Sequence, residues 1–212
     1  MRDIEYQRFR FAHSLAVNRI LNVALYPLLV PVYVVAFELW YLQKAITFPG
    51  CLITLVFLIL MFVIPAALAR ILRKRGSIAS FWFNANAEEK RLLLLVDLLC
   101  CVVPMPIVGL THMPFVLKII PTITLVLMFV SMFVNYFTSV NNHILALSAA
   151  LAYWVCFSVC LHFNMLPAIQ VTMALLGVKG YFMAEHRQLS GHEFVISTFI
   201  GALVVILSFV IS

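Results

Sequence analysis

Apolar residues fall in long unbroken runs, and polar residues gather between them. The runs cover roughly Ile20 to Leu42, Cys51 to Leu72, Leu92 to Leu110, Phe115 to Phe137, Ile144 to Phe163, Ala168 to Met183 and Phe194 to Ile211. A bilayer core about 30 Å thick needs about 20 apolar residues of helix. The pattern therefore predicts an all-α, polytopic bundle of about seven spans, the sixth being short. Pro27 and Pro31 in the first run predict a bent or partly broken helix, and Pro65 interrupts the second. Pro49-Gly50, His112-Met113-Pro114 and Asn164 to Pro167 read as tight connections. The longest polar segment is the 73–91 loop, from Arg73 to Arg91. Short connections imply one integral membrane domain over residues 1–212. The first run is too long for a signal-peptide core, so it should remain as a span. Strict alternation of apolar and polar residues, the mark of a membrane β-barrel, is absent.

Composition supports the bilayer as solvent. The chain is 65% hydrophobic and 10% charged, against roughly 45–50% and 25% for a soluble domain. The formal net charge is +6. Its basic residues sit at the ends of apolar runs, which suits lipid headgroups and membrane orientation rather than nucleic acid. With seven spans, one side collects residues 1–19 and the polar segments 73–91, 138–143 and 184–193. Of the Lys and Arg residues between spans or near their ends, only Lys44 and Lys118 fall on the other side. The positive-inside rule then puts the N-terminal segment, cytoplasmic or interfacial, on the inner face of a bacterial inner membrane.

Two of those polar patches carry candidate chemistry. Asn141-Asn142-His143 opens the fifth span, and His186-Arg187-Gln188-Leu189-Ser190-Gly191-His192 opens the seventh. A helix N-terminus offers free N–H groups and a positive dipole end, which suit phosphate. One neutral imidazole can attack phosphorus, and a second, protonated, can donate to the leaving oxygen. The blander alternative also stands: a His at a helix end is often only a cap or a headgroup contact. His13, His112 and His162 take that reading. Glu38 and Asp97 lie inside spans, where they are either structural or near the interface, or mark an ion pathway. Lys179 either snorkels or faces a polar cavity. The five cysteines, Cys51, Cys100, Cys101, Cys156 and Cys160, sit in or beside apolar runs and read as small core residues. No metal site and no cofactor is expected.

Along most of its length the chain resembles the type 2 phosphatidic acid phosphatase superfamily, in particular a divergent, small bacterial (Bacteroidetes-like) membrane branch. The resemblance is carried by Leu-Tyr-Pro-Leu-Leu-Val-Pro-Val-Tyr at 25–33, by Ile-Pro-Ala-Ala-Leu through Arg-Lys-Arg-Gly at 64–76, by Phe-Val-Asn-Tyr-Phe through His143, and by Gly191-His192 leading into a Gly-containing helix. It implies a six-helix phosphatase-like core. Three positions match the superfamily's signature: Arg91, His143 and His192. By resemblance, His192 would be the nucleophile, His143 the acid for the leaving alcohol, and Arg91 a phosphate ligand. The departures are equally definite. Asn84 stands for the usual Lys, Leu92 for Pro, Val140-Asn141-Asn142 for Pro-Ser-Gly, Glu185-His186 for Ser-Arg, and Ile196 for the Asp that orients the nucleophile. His186, Arg187 and Asn141 are the residues left to supplement phosphate binding.

Three functions follow as expectations. The first is hydrolysis of a lipid phosphomonoester or pyrophosphate through a phospho-histidine, with activity reduced by the lost signature residues. The second is a non-catalytic relative that binds membrane lipids or serves as a partner subunit. The third is a transporter component, suggested by Glu38, Asp97 and the broken first helix. Related bacterial phosphatases work on the outer face, whereas the charge count puts these patches on the inner one.

Overall fold

The computed structural model describes residue 17 and residues 20–43, 48–76, 87–103, 115–186 and 189–211. Among these residues the secondary structure is helical, without strands. The elements are α1 (Leu29–Gln43), α2 (Phe48–Leu58), a π-helical turn (Ile59–Val63), α3 (Ile64–Lys74), α4 (Ala87–Val102), α5 (Phe115–Val134), α6 (Asn142–Leu161), α7 (Leu166–Glu185) and α8 (Gly191–Ile211). Among the described residues four helices are long and apolar enough to cross a membrane: Thr54–Lys74, Asn142–Leu161, Leu166–Glu185 and Gly191–Ile211. Two shorter apolar helices are Leu29–Tyr41 and Lys118–Val134.

Two boundaries differ from those expected. The sixth run was expected to be short, but α7 is 20 residues long, because Pro167 at its start and polar residues at its end are accommodated as helix ends. The 73–91 polar segment is not all loop. Arg73 and Lys74 close α3, and residues 87–91 form the first turn of α4. Basic side chains at a helix C-terminus complement its dipole, and Gly76, with φ of 75°, supplies the left-handed stop. The first run is broken, one of the two forms its prolines predict. Residues 20–24 are helical, residues 25–28 are not, and helix resumes at Leu29. Pro27 has no N–H and restricts Tyr26 to extended backbone, so the helix ends there.

The chain falls into two compact units, residues 28–138 and residues 1–27 with 139–212. In the 28–138 unit, α2, the π turn and α3 run uninterrupted for about 40 Å. Pro65 follows directly on the wide turn, where Ile64 N–H reaches back five residues to Ile59 O. A proline in a helix would otherwise collide with the carbonyl four residues before it, and the π turn widens the helix at that point. Met61, fully buried in the turn, receives the Cys101 thiol from α4 at 3.9 Å. Ala69 and Leu93 continue the α3–α4 contact, flanked by Leu72 and Leu92. Glu38 and Asp97 are buried in this unit.

The other unit is built on α6, which is buried along most of its length, while α7 and α8 bury one side and leave Val171, Val178, Val195, Phe199 and Val210 exposed. Lipid tails are the solvent such side chains fit. Small residues Ala146, Ser148, Ala149 and Ala150 line the buried surface of α6 and allow close helix approach. The tightest point is Gly201 of α8, where an added Cβ would stand 2.5 Å from Leu145 O and 3.2 Å from Ala149 N. Both are backbone atoms and cannot swing aside. Gly201→Ala should therefore cost about 1–3 kcal/mol through overpacking and lower the melting temperature in detergent. Gly177→Ala, which meets nothing within 4 Å, should leave it unchanged or raise it slightly. Equal behaviour of the two variants would contradict this packing.

Candidate functional site

The two His-bearing patches both lie in the α6–α8 unit, and each is set by a different N-terminal cap. At α6, Asn141 Oδ1 accepts from His143 N at 3.1 Å and Ile144 N at 3.3 Å. At α8, Ser190 Oγ accepts from Glu193 N at 3.2 Å, and Glu193 Oε2 accepts from Ser190 N at 2.9 Å. The second arrangement is a capping box, Ser-x-x-Glu. Both caps satisfy backbone donors that a helix start leaves without partners. His143 and His192 thus occupy the same position, two residues past the cap.

The two helix starts open at the same end. Asn141 N donates to Ser197 Oγ at 2.9 Å, and Ser148 Oγ is shared between Leu145 O at 2.9 Å and Ser197 O at 3.3 Å. Further along, Leu145 and Ala149 face Gly201. Rising numbers on α6 meet rising numbers on α8, so the helices are parallel. Ser197 also donates to Glu193 O at 2.6 Å, which holds the hydroxyl ready to accept from Asn141. His192 stands about 7 Å further out along α8 than Ser197.

The two imidazoles have different surroundings. His143 is partly buried and its Nδ1 lies 2.9 Å from Leu25 O. A carbonyl only accepts, so Nδ1 carries the proton and Nε2 is the atom left for a ligand. Leu25 O is available because of Pro27. In a continuous helix that carbonyl would accept from the amide of residue 29; the break at Tyr26–Pro27 releases it. His192 is exposed. His186 is the C-terminal cap residue of α7, with its N–H on Phe182 O at 3.2 Å. Arg187 lies outside the described residues, as does Asn84.

Lys179 does not snorkel. It is fully buried on α7, and its Nζ donates to Asn22 Oδ1. Asn22 is itself buried, one turn before Leu25. Asn22 and Leu25, one turn apart, tie Lys179 and His143 to the same short segment. The residues 20–27 segment therefore brings two polar partners to the mouth of α6 and α7: an amide for the lysine and a carbonyl for the histidine. Asn22 was the residue sequence reasoning passed over. Its signal was a lone amide in an apolar run, set just before a proline.

Arg91 belongs to the 28–138 unit, where its guanidinium carbon sits 4.5 Å over the Tyr136 ring. Stacking on an aromatic face leaves the edge of the guanidinium, with its donors, open to an anion. Among the described residues no group of His, Cys, Asp and Glu could hold a metal ion. No protein-family model matches the chain, and neither does any curated protein or solved structure.

Asn141 carries most of the order at the start of α6. Asn141→Ala should lower stability by about 0.5–2 kcal/mol, while Asn141→Asp should retain it. Thermal melts in detergent check this. Equal loss in both variants would show that the side-chain oxygen is not what holds the helix start.

Proposed function

We propose that this protein is a membrane hydrolase of lipid phosphates, acting on a phosphomonoester or pyrophosphate through a phosphorylated histidine. One observation carries the reading: two imidazoles stand at equivalent positions on parallel helices that start at the same end of one packed unit. Phosphoryl transfer by histidine needs a nucleophilic ring nitrogen and a separate proton donor, and two histidines opening on one end supply both kinds of group. Helix N-termini favour the phosphate charge, and the Lys179 ammonium is held by Asn22, on the same short segment that supplies the Leu25 carbonyl. The exposed apolar faces of α7 and α8 suit a substrate that arrives from the bilayer. The resemblance to type 2 phosphatidic acid phosphatases points the same way.

One observation favours a non-catalytic lipid-binding role instead: Ile196 occupies the place of the acidic residue that would orient His192. Removing an orienting or charge-stabilising group costs on the order of 10² to 10⁴ in rate. Turnover by purified protein separates the two readings. With phosphatidate, lysophosphatidate and a polyprenyl phosphate in mixed micelles, wild type should release inorganic phosphate from at least one. His192→Ala should reduce that release by about 100-fold or more. No release from any of the three, or full activity in the variant, would contradict the hydrolase.

For the membrane arrangement we read α1, α4 and α5 as crossing along with the four longer helices, giving seven spans in a bacterial inner membrane. The charge bias then places the N-terminal segment in the cytoplasm. An alkaline phosphatase fusion after Ser212 should be active, and one within the 77–86 segment inactive. The reverse pattern would invert the topology.

A further inference from the structure

We infer that His143, not His192, accepts the phosphoryl group, and that the Leu25 carbonyl is the group that orients it. This inference rests on the lipid-phosphate hydrolase reading above. A nucleophilic imidazole needs one ring nitrogen held by an acceptor, so that the proton stays there and the lone pair of the other is aimed outward. His143 meets that requirement: Nδ1 donates to Leu25 O at 2.9 Å, and Nε2 is left to react. The acceptor is a backbone atom on a chain segment stopped by Pro27, and its partner is fixed in turn by Asn141 at the head of α6. His192 sits on an exposed first turn, and the residue one turn further along α8 is Ile196, whose side chain cannot accept a proton or a hydrogen bond. The carbonyl on His143 thus takes the place of the carboxylate missing near His192.

Electrons and protons balance through the two steps. The Nε2 lone pair of neutral His143 attacks phosphorus and forms the N–P bond as the bond from phosphorus to the lipid oxygen breaks. The departing oxygen takes a proton from His192 in its imidazolium form and leaves as the lipid alcohol. The phosphorylated ring carries a positive charge, and its Nδ1–H still donates to Leu25 O, now as a charge-assisted bond. Water then attacks phosphorus, His192 takes its proton, and the N–P bond breaks with its electrons returning to Nε2. The net reaction is lipid phosphate plus water to lipid alcohol and inorganic phosphate. Lys179 is a positioning residue here, its ammonium held by Asn22 on the segment that also supplies the Leu25 carbonyl.

The test is to trap and map the intermediate. Full-length protein in micelles is mixed with phosphatidate, lysophosphatidate or a polyprenyl phosphate carrying radiolabelled phosphate and quenched in base, where phospho-histidine survives. Peptide mapping then locates the label. The expected result is label on His143, absent from His143→Gln; His192→Ala, which loses the proton donor of the first step as well as the base of the second, forms label more slowly but still on His143. Melting temperatures near that of wild type show that the variants remain folded. Label on His192 that persists in His143→Gln would overturn the assignment and leave the hydrolase standing. Phosphate release by wild type with no label on either histidine would overturn it as well. Neither label nor phosphate release from any of the three substrates would overturn the hydrolase reading itself, and this inference with it.

Discussion

The bond from the His143 ring to the Leu25 carbonyl is the constraint from which the candidate site is organised. It exists because Pro27 cannot continue a helix. A released carbonyl in a low-dielectric setting must find a donor, since an unsatisfied backbone group there costs on the order of several kcal/mol. The imidazole N–H is that donor. One covalent fact, a pyrrolidine ring at position 27, thereby fixes the tautomer of a histidine more than a hundred residues away in sequence. The same chain segment carries Asn22, which holds Lys179. A broken helix near the start of the chain thus contributes two backbone or side-chain acceptors to a site whose titratable groups come from α6 and α7.

The α6–α8 seam holds that site in register. Hydroxyls rather than charges join the two helices: Ser197 accepts from Asn141 and Ser148 reaches Ser197 O. Gly201 lets the backbones close to van der Waals distance. In a bilayer, close packing and hydrogen bonds between small residues replace the hydrophobic effect as the source of helix association. The positions of His143 and His192 relative to one another follow from this seam, because each sits one turn or less from a capped helix start. The capping groups themselves, Asn141 and the Ser190–Glu193 box, are spent on backbone amides. Asn141 Oδ1 is therefore a structural atom, whatever its amide nitrogen does.

Much of the helical architecture was legible in the hydropathy pattern. Long apolar runs bounded by polar clusters gave the helices their places, and Pro27 announced the break in the first run. Helix ends were less legible, because a turn rich in Arg, Lys and Glu reads as loop in sequence but closes α3 and opens α4. The length of α7 was hidden for the same reason. The candidate histidines were visible as the last polar residues before apolar helices. Their partners were not, since a carbonyl carries no side-chain signature, and Lys179 could equally have reached for the interface. Only the fold decides that its ammonium turns inward to Asn22. The division into two units was also invisible, because the unit holding α6 to α8 is completed by residues from the other end of the chain.

The most direct measurement is the protonation state of the His143 ring, read by nitrogen NMR on protein labelled at histidine and assigned with the His143→Gln variant. The account predicts a single tautomer with its proton on Nδ1, and a hydrogen-bond coupling from that proton to the Leu25 carbonyl carbon. A proton on Nε2, or a ring that averages between the two nitrogens, would contradict it.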